Sequence, residues 1–246
     1  MSIEWFETHR GNVQRIEIQL YFENLLSKSS VDKNKLVFEI GSGSNFLKQY
    51  FFENKLLSSD VLFTPDISIQ LDCHQIPFKD KSFEQIIGID VLHHLRNPHF
   101  AINELARCLK EDGKIILIEP YISIFSFPIY RIFHHEFTSY NLHLESQKDL
   151  LSGDPRDADN NIPTQIFTKK SNSAYLVKML SYKFNLKFEL IFSDFLSFFA
   201  TGGLQRNRSF IKGYLYKFLL HLENFIPQFI LKIIGSRMII ILKKSE

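Results

Sequence analysis

The segment Leu36-Val37-Phe38-Glu39-Ile40-Gly41-Ser42-Gly43 joins a short apolar run to a glycine-rich turn. A short, largely apolar run that ends at a glycine is typical of a strand buried in a parallel sheet. The turn after the first strand of such a sheet is a ligand site, because the carboxyl end of the strand and the amino end of the next helix converge there. We therefore expect an open α/β sheet whose ligand lies at this turn.

Strand-like and helix-like segments alternate on both sides of the turn. The apolar spacing predicts helices over residues 16–26, 46–56, 98–109 and 174–182. Strands are predicted at 36–40, 61–63, 83–89, 114–119, 186–192 and 237–242, with a turn at Asp112-Gly113. This alternation indicates right-handed crossovers, and we expect a Rossmann-like, doubly wound, mostly parallel sheet of seven strands with helices on both faces.

The length and composition of the chain fit one domain with insertions. A chain of 246 residues with 45% hydrophobic content can bury a large core. We expect a single domain over 1–246, with a cofactor-binding core at 36–120. Aromatic residues, histidines and a polar run at 152–161 predict a lid insertion over 121–170, and an apolar helical stretch predicts a second insertion over 204–235.

The cysteines and the N-terminus bear on the compartment of the protein. Cys73 and Cys108 are the only cysteines, and their positions suggest neither a disulfide framework nor a CxxC metal site. We expect no metal ion. The first ten residues carry Glu4, Glu7, His9 and Arg10 where a secretion signal would need an apolar run, so we expect a cytoplasmic protein.

Two observations at the turn identify the kind of ligand. A dinucleotide fingerprint that began at Gly41 would place its third glycine at position 46, which is Phe46. Glu39 would repel a pyrophosphate, whereas its carboxylate suits the cationic amino group of a methionine moiety. S-adenosylmethionine carries such a group and is the cofactor we predict. An ordinary turn beside an exposed glutamate is the alternative interpretation of this motif.

Two further carboxylates follow in chain order. Asp66 comes after the predicted second strand and could accept hydrogen bonds from both ribose hydroxyls, although an aspartate after Pro65 could simply begin a turn. Asp72 precedes a Pro-Phe turn and could accept a bond from the adenine amine while apolar neighbours hold the ring. The order matches the amino-acid, ribose and adenine parts of one ligand.

Four motifs together resemble class I S-adenosylmethionine-dependent methyltransferases of the type 11, ubiquinone/menaquinone-biosynthesis-like family. They are Glu39-x-Gly41-x-Gly43, Asp72-x-x-x-Ile76-Pro77-Phe78, Asp90-Val91-Leu92-His93-His94-Leu95 and Glu104-x-x-Arg107-x-Leu109-x-x-x-Gly113. The resemblance covers residues 36–120, about half of the chain. Its motifs keep both order and spacing.

The resemblance implies a role for each matching residue in holding the cofactor. Glu39, Gly41, Ser42 and Gly43 would contact the methionine end, Asp66 and Ile67 the ribose, Asp72 and Cys73 the adenine, and Asp90 and His93 would border the sulfonium. The chain departs from the family at Asn45, where a third glycine is common. Asparagine can still adopt the left-handed conformation that such a turn needs.

Substrate choice should lie in the lid insertion. His134 and His135 follow the fifth strand, where an imidazole could remove the acceptor's proton near neutral pH. We predict them as catalytic residues. The alternative is that they only form hydrogen bonds within the lid.

The C-terminal segment concentrates positive charge and apolar residues. The last 46 residues carry a net charge of +6, against −4 for the remaining 200. In 210–234 apolar residues recur at helical spacing with lysines between them, which is typical of a helix on a membrane surface and too interrupted for a spanning segment. Core or dimer-interface helices are the alternative.

These observations predict a methyltransferase that acts on oxygen or nitrogen of a small-molecule or lipid-linked metabolite. Peripheral contact with the inner face of a membrane through 210–234 would suit a lipid-linked acceptor, and an oligomer is compatible with the sequence. Nucleic acid is not expected, because no basic stripe with interleaved aromatic residues crosses the catalytic half. The alternative is a non-catalytic S-adenosylmethionine-binding module that regulates or scaffolds a partner at a membrane.

Overall fold

The computed structural model describes residues 11–95, 98–133, 162–170, 173–181, 183–204 and 206–244. Seven strands form one sheet in the order β3-β2-β1-β4-β5-β7-β6. They are β1 (Val37–Ile40), β2 (Leu56–Asp60), β3 (Ile69–Gln70), β4 (Phe83–Ile89), β5 (Leu109–Pro120), β6 (Leu186–Ser193) and β7 (Arg237–Lys244). Strand β7 runs antiparallel to both of its neighbours, and the other pairings are parallel. The predicted seven-stranded, mostly parallel sheet is confirmed.

Helices cover both faces of the sheet. They are α1 (Ile16–Lys28), α2 (Pro98–Cys108), α3 (Ser126–Phe133), α4 (Ile162–Thr168), α5 (Ser173–Ser181), α6 (Ser197–Ala200), α7 (Gly213–Glu223) and α8 (Gln228–Ile234). Ile86 and Ile115 pack into the hydrophobic cluster on one face, and Ile87 and Ile116 into the cluster on the other. Because successive strand residues point to opposite faces, a strand buried on both sides must be apolar throughout.

The predicted second strand and the helix before it are wrong. Strand β2 ends at Asp60, and Val61 and Phe63 of the predicted strand are 61% and 69% exposed. The buried half of β2 is the polar run Ser58-Ser59-Asp60. Burial of Ser59 is tolerated because its hydroxyl donates to the backbone carbonyl of Glu39 at 2.7 Å. Only a short 3₁₀ helix, Phe46–Tyr50, stands where a helix over 46–56 was expected.

Two other elements refine the expectations from sequence. The predicted turn at Asp112 lies in a bulge of β5, where the register against β4 shifts and Asp112 has a φ of +58°. The apolar stretch before the last strand is divided into α7 and α8, and α8 begins directly after Pro227. Within the described ranges no helix combines the length and hydropathy that a membrane span requires.

Candidate functional site

The turn after β1 adopts a left-handed conformation that glycine favours. Gly41 and Gly43 have φ angles of +63° and +51°. A Cβ atom on Gly41 would lie 2.3 Å from Cγ2 of Val91, which follows β4. Asn45 has a φ of +53°, as expected for the residue that replaces the family's third glycine. The turn therefore needs residues that permit a positive φ, and at Gly41 it needs a residue without a Cβ because the Val91 side chain lies so close.

Backbone and side-chain bonds attach this turn to the end of β2. The N–H of Ser42 donates to the carbonyl of Ser59 at 2.9 Å, and the N–H of Gly43 donates to Oδ2 of Asp60 at 2.8 Å. The Asn45 side-chain amide donates to the carbonyl of Asp66. These bonds position the turn at the carboxyl edge of the sheet, where the ligand site was predicted.

Glu39 lies at the floor of the turn as a buried carboxyl group. Its side chain is buried at 2% exposure, and Oε2 has no hydrogen-bond partner among the described residues. Burial raises the pKa of Glu39 to about 8; the Ser42 hydroxyl opposes this rise, and the nearby negative charge of Asp60 adds to it. A buried carboxyl with an unsatisfied oxygen is costly unless a cation or donor binds there, so the position suits a cationic ligand group. The alternative of an exposed glutamate is excluded.

The carboxylate at the end of the second strand is Asp60, which the sequence analysis did not identify. Asp60 is buried, with Oδ2 on Gly43 and Oδ1 accepting the N–H of Leu62 at 2.9 Å. Asp66 is exposed and Ile67 is partly exposed, six and seven residues beyond the strand. Asp66 was predicted because it follows the strand expected at 61–63, and Ile67 was implied by the resemblance to the family. Reading Ser58-Ser59-Asp60 as a buried polar strand would have revealed the residue.

Asp72 and Cys73 follow β3, which runs parallel to β2, so they lie at the same carboxyl edge of the sheet as the turn. Oδ1 of Asp72 accepts the backbone N–H of His74 at 2.9 Å and lies 2.7 Å from its Nδ1. Burial opposes ionisation, but these bonds from His74 outweigh it and lower the pKa of Asp72 below its ordinary value. Burial raises the pKa of the Cys73 thiol to about 12, so this cysteine stays protonated.

Asp90 follows β4 and is paired with a residue from the far end of the chain. Its two carboxylate oxygens contact the guanidinium of Arg237, with Nη2 3.1 Å from Oδ2. Burial alone would raise the pKa of Asp90, but the positive charge of Arg237 outweighs this and lowers it. Arg237 is itself buried, and its guanidinium carbon lies 4.5 Å from the ring centroid of Phe198. This ion pair links the end of β4 to the start of β7.

His93 is buried beside Glu119, near the carboxyl end of β5. Nδ1 of His93 lies 2.6 Å from Oε2 of Glu119, while Oε1 of Glu119 accepts the backbone N–H groups of Val91 and Leu92 at 3.0 and 2.7 Å. The carboxylate therefore fixes the short 3₁₀ helix Leu92–His94 against the sheet. Neither Glu119 nor Arg237 was recognised from sequence, because neither carries a local motif.

Possible ligand atoms of Asp90, His93 and Glu119 lie within 4.8 Å of one another, as a metal site would require. Each carboxylate is already bound: Asp90 to Arg237, and Glu119 to the imidazole and two backbone N–H groups. An ion would have to displace a buried guanidinium. Ion pairs and hydrogen bonds within the chain therefore explain why these three side chains lie together.

The predicted catalytic pair, His134 and His135, lies outside the described residues. The lid insertion is described at 121–133 and 162–170. In α3 the Tyr130 hydroxyl donates to the carbonyl of Ser236 at 2.9 Å. Tyr121, directly after β5, donates to the carbonyl of Lys232 at 2.7 Å. The beginning of the lid is thus bound to the segment that enters β7.

A family profile and one relative match part of this chain. The sequence profile of the family described as "Methyltransferase domain" matches residues 39–117. An uncharacterized protein of Methanocaldococcus jannaschii is 27% identical over 112 residues, which are 44% of each chain. This chain therefore matches less than half the length of that relative.

Two solved structures resemble the chain. An S-adenosylmethionine-dependent methyltransferase of Thermotoga maritima, described as a possible histamine N-methyltransferase, is similar with a TM-score of 0.51 and 15% identity, over 98% of this chain and 94% of that one. One from Aquifex aeolicus has a TM-score of 0.35 and 17% identity, over 40% and 63%. The Thermotoga structure shows that the fold is shared over nearly the whole chain. Residues 39–117 therefore match the family of methyltransferase domains, and the fold around them is that of the Thermotoga structure.

Proposed function

We propose that the chain transfers a methyl group from S-adenosylmethionine to an oxygen or nitrogen of a small-molecule or lipid-linked metabolite. The observation that carries the proposal is Glu39, a buried carboxyl group with an unpartnered oxygen beneath a left-handed glycine turn. A dinucleotide's pyrophosphate would be repelled there, whereas an α-amino group would satisfy the orphaned oxygen. When bound, S-adenosylmethionine would supply an activated methyl group.

The carboxylates beside the turn would hold the rest of the cofactor. Gly41, Ser42 and Gly43 would admit its methionine end, because side chains larger than hydrogen at the two glycines would narrow the turn. Asp60 is a candidate for the ribose beside the predicted pair Asp66 and Ile67, since it ends the strand next to β1. Asp72 and Cys73 are the proposed adenine contacts, for which a neutral thiol and an ionised acceptor are suitable.

Asp90 and His93 are proposed to border the reacting centre as a rigid wall. Their bonds to Arg237 and Glu119 keep both side chains in one arrangement, which suits an enzyme that accelerates transfer chiefly by aligning its reactants. His134 and His135 remain the proposed bases for acceptor deprotonation. If the double His→Gln variant kept the wild-type rate and pH profile, we would reject that assignment.

The alternative, a non-catalytic S-adenosylmethionine-binding module, shares the cofactor site and differs in turnover. Calorimetry with S-adenosylmethionine and NAD tests the site, and Glu39→Gln serves as the variant with a weakened site. Formation of S-adenosylhomocysteine with soluble or membrane-extracted acceptors then tests catalysis. Preferential binding of NAD would refute the cofactor assignment. Tight S-adenosylmethionine binding without turnover across a broad acceptor screen would favour the module.

A further inference from the structure

Eight large apolar side chains of residues 210–233 face solvent. Their exposed fractions range from 49% for Leu222 to 81% for Tyr214. The set is Phe210, Tyr214, Leu215, Phe218, Leu222, Phe225, Phe229 and Ile233. We call it the C-terminal apolar face. The sequence analysis left open whether these residues pack in the core, and their exposure shows that they are not buried against the part of the chain that the structure describes.

The face follows from the helical repeat. In α7, Tyr214, Phe218 and Leu222 are spaced four residues apart and are exposed, while Tyr216 and Leu220 are buried on the other side. The same division recurs in α8, where Phe229 and Ile233 are exposed and Leu231 is buried. Each helix is therefore anchored to the domain by one side and exposes apolar side chains on the other.

All the exposed charges of this segment are positive. Arg206, Arg208, Lys212, Lys217 and Lys232 are exposed. The single acidic residue between 206 and 234 is Glu223, which is 3% exposed and accepts the N–H groups of Leu196 and Ser197 at 2.5 and 3.0 Å. The acidic group is thus withdrawn from the surface, and the C-terminal apolar face is accompanied by five cations.

We propose that the C-terminal apolar face binds the surface of an anionic membrane, with its helices lying in the plane of the head groups. Helices of 11 and 7 residues that expose aromatic and aliphatic side chains between lysines have the composition of interfacial segments. Two copies of the chain would place like charges against each other, whereas anionic head groups would neutralise them. Each basic group contributes about fivefold to partitioning onto such a surface.

The position of the face relative to the candidate site supports the proposal. Helix α8 is followed at once by β7, whose first residue, Arg237, is paired with Pro120 in the sheet and forms the ion pair with Asp90. The backbone carbonyl of Lys232 in α8 accepts the hydroxyl of Tyr121. A membrane bound by α8 would lie close to the carboxyl edge of the sheet, which agrees with an acceptor that is itself held in the membrane.

Vesicle flotation of the full chain without cofactor tests the proposal independently of methyl transfer. We expect partitioning onto vesicles of phosphatidylcholine with 30% phosphatidylglycerol to exceed that onto pure phosphatidylcholine by about tenfold or more. Salt at 0.5 M should reverse only part of the binding, because the apolar contribution is not screened. Binding that is absent, or equal for the two lipid compositions, would overturn the proposal.

Matched variants locate the binding surface. The double substitution Phe218→Ser and Phe225→Ser should lower binding about tenfold or more, and Lys212→Gln with Lys217→Gln about 20-fold. The apolar control is Phe52→Ser with Val177→Ser, at 67% and 65% exposure, and the charge control is Lys79→Gln with Lys187→Gln. The controls should bind like wild type.

Light scattering distinguishes the membrane from a second copy of the chain. If wild type is a dimer that the Phe218/Phe225 variant converts to a monomer, and neither binds vesicles, the face is a subunit interface and the proposal is wrong. Because S-adenosylmethionine binding is measured separately by calorimetry, failure of this proposal leaves the cofactor assignment unaffected, and failure of that assignment leaves vesicle binding unaffected.

Discussion

Replacing Glu39 with glutamine should change both the pH dependence of stability and the affinity for S-adenosylmethionine. The pKa of this buried carboxyl rises from 4.5 to about 8 on folding, chiefly through burial. A carboxyl with a raised folded pKa costs stability as pH increases from the unfolded to the folded value. At about 1.4 kcal/mol per pKa unit, the wild type should lose about 3–4 kcal/mol between pH 5 and pH 8 from this group alone.

Glutamine cannot ionise, so the Glu39→Gln variant should lack this part of the pH dependence. Urea titrations at pH 5, 6, 7 and 8 compare the two proteins, and Glu53→Gln, an exposed glutamate, is the matched control. The variant should also bind S-adenosylmethionine about 10- to 100-fold more weakly, since a hydrogen bond to a charged group contributes about 1.5–3 kcal/mol.

Proton release gives a second measurement of the same group. At pH 7 most free protein carries a protonated Glu39, and a bound amino group would favour the ionised form. Calorimetry in buffers of different ionisation enthalpy should therefore show release of most of one proton on binding to wild type, and none to Glu39→Gln. Equal pH profiles together with equal affinities would refute the argument that a buried carboxyl receives the cofactor.

Five further substitutions separate the contributions of the turn and its neighbours. In calorimetry, Asp60→Asn should weaken S-adenosylmethionine binding more than Asp66→Asn does, because Asp60 ends β2 and also holds the turn at Gly43. A lost hydrogen bond should cost on the order of 1 kcal/mol of binding free energy. The reverse order of the two variants would make Asp66 the principal ribose contact. Asp72→Ala should weaken binding with an unchanged circular dichroism spectrum, and unchanged affinity would show that other residues hold the adenine. Gly41→Ala should destabilise the domain by about 2–4 kcal/mol in urea titrations, through positive φ and contact with Val91. Adding Val91→Ala to Gly41→Ala should relieve the contact with Val91 but not the cost of the positive φ. A Gly41→Ala variant as stable as wild type would contradict the turn geometry.

Most of the sheet could be predicted from the sequence because its central strands are buried on both faces. Strand β4 coincides with the predicted 83–89, and helix α2 differs from its prediction by a single residue. The turn at Gly41 was equally accessible, since a left-handed backbone requires glycine or asparagine at particular positions. In these segments, burial on both faces and left-handed backbone are reflected in residues that are close together in the sequence.

Strand β2 could not be predicted in this way. Its buried half, Ser58-Ser59-Asp60, is polar, and the apolar residues that follow are exposed. These side chains are buried with hydrogen-bond partners: the Ser59 hydroxyl donates to the Glu39 carbonyl in β1, and Asp60 accepts the Gly43 N–H of the turn. Because the strand was predicted to end at residue 63 and ends at Asp60, the sequence analysis proposed Asp66 as the carboxylate that follows it and did not consider Asp60.

The short-range pattern of this chain therefore determined most of the sheet, the glycine turn and the resemblance to the methyltransferase family. Tertiary structure decided which polar groups are buried and what they bind: Asp90 pairs with Arg237 across 147 positions, and His93 with Glu119 across 26. It also decided which apolar side chains of residues 210–233 are exposed, because helical spacing alone does not say which face meets the core. The burial and pairing of these groups depend on residues that are distant in the sequence and that folding brings together. The periodicity of the sequence therefore does not predict them.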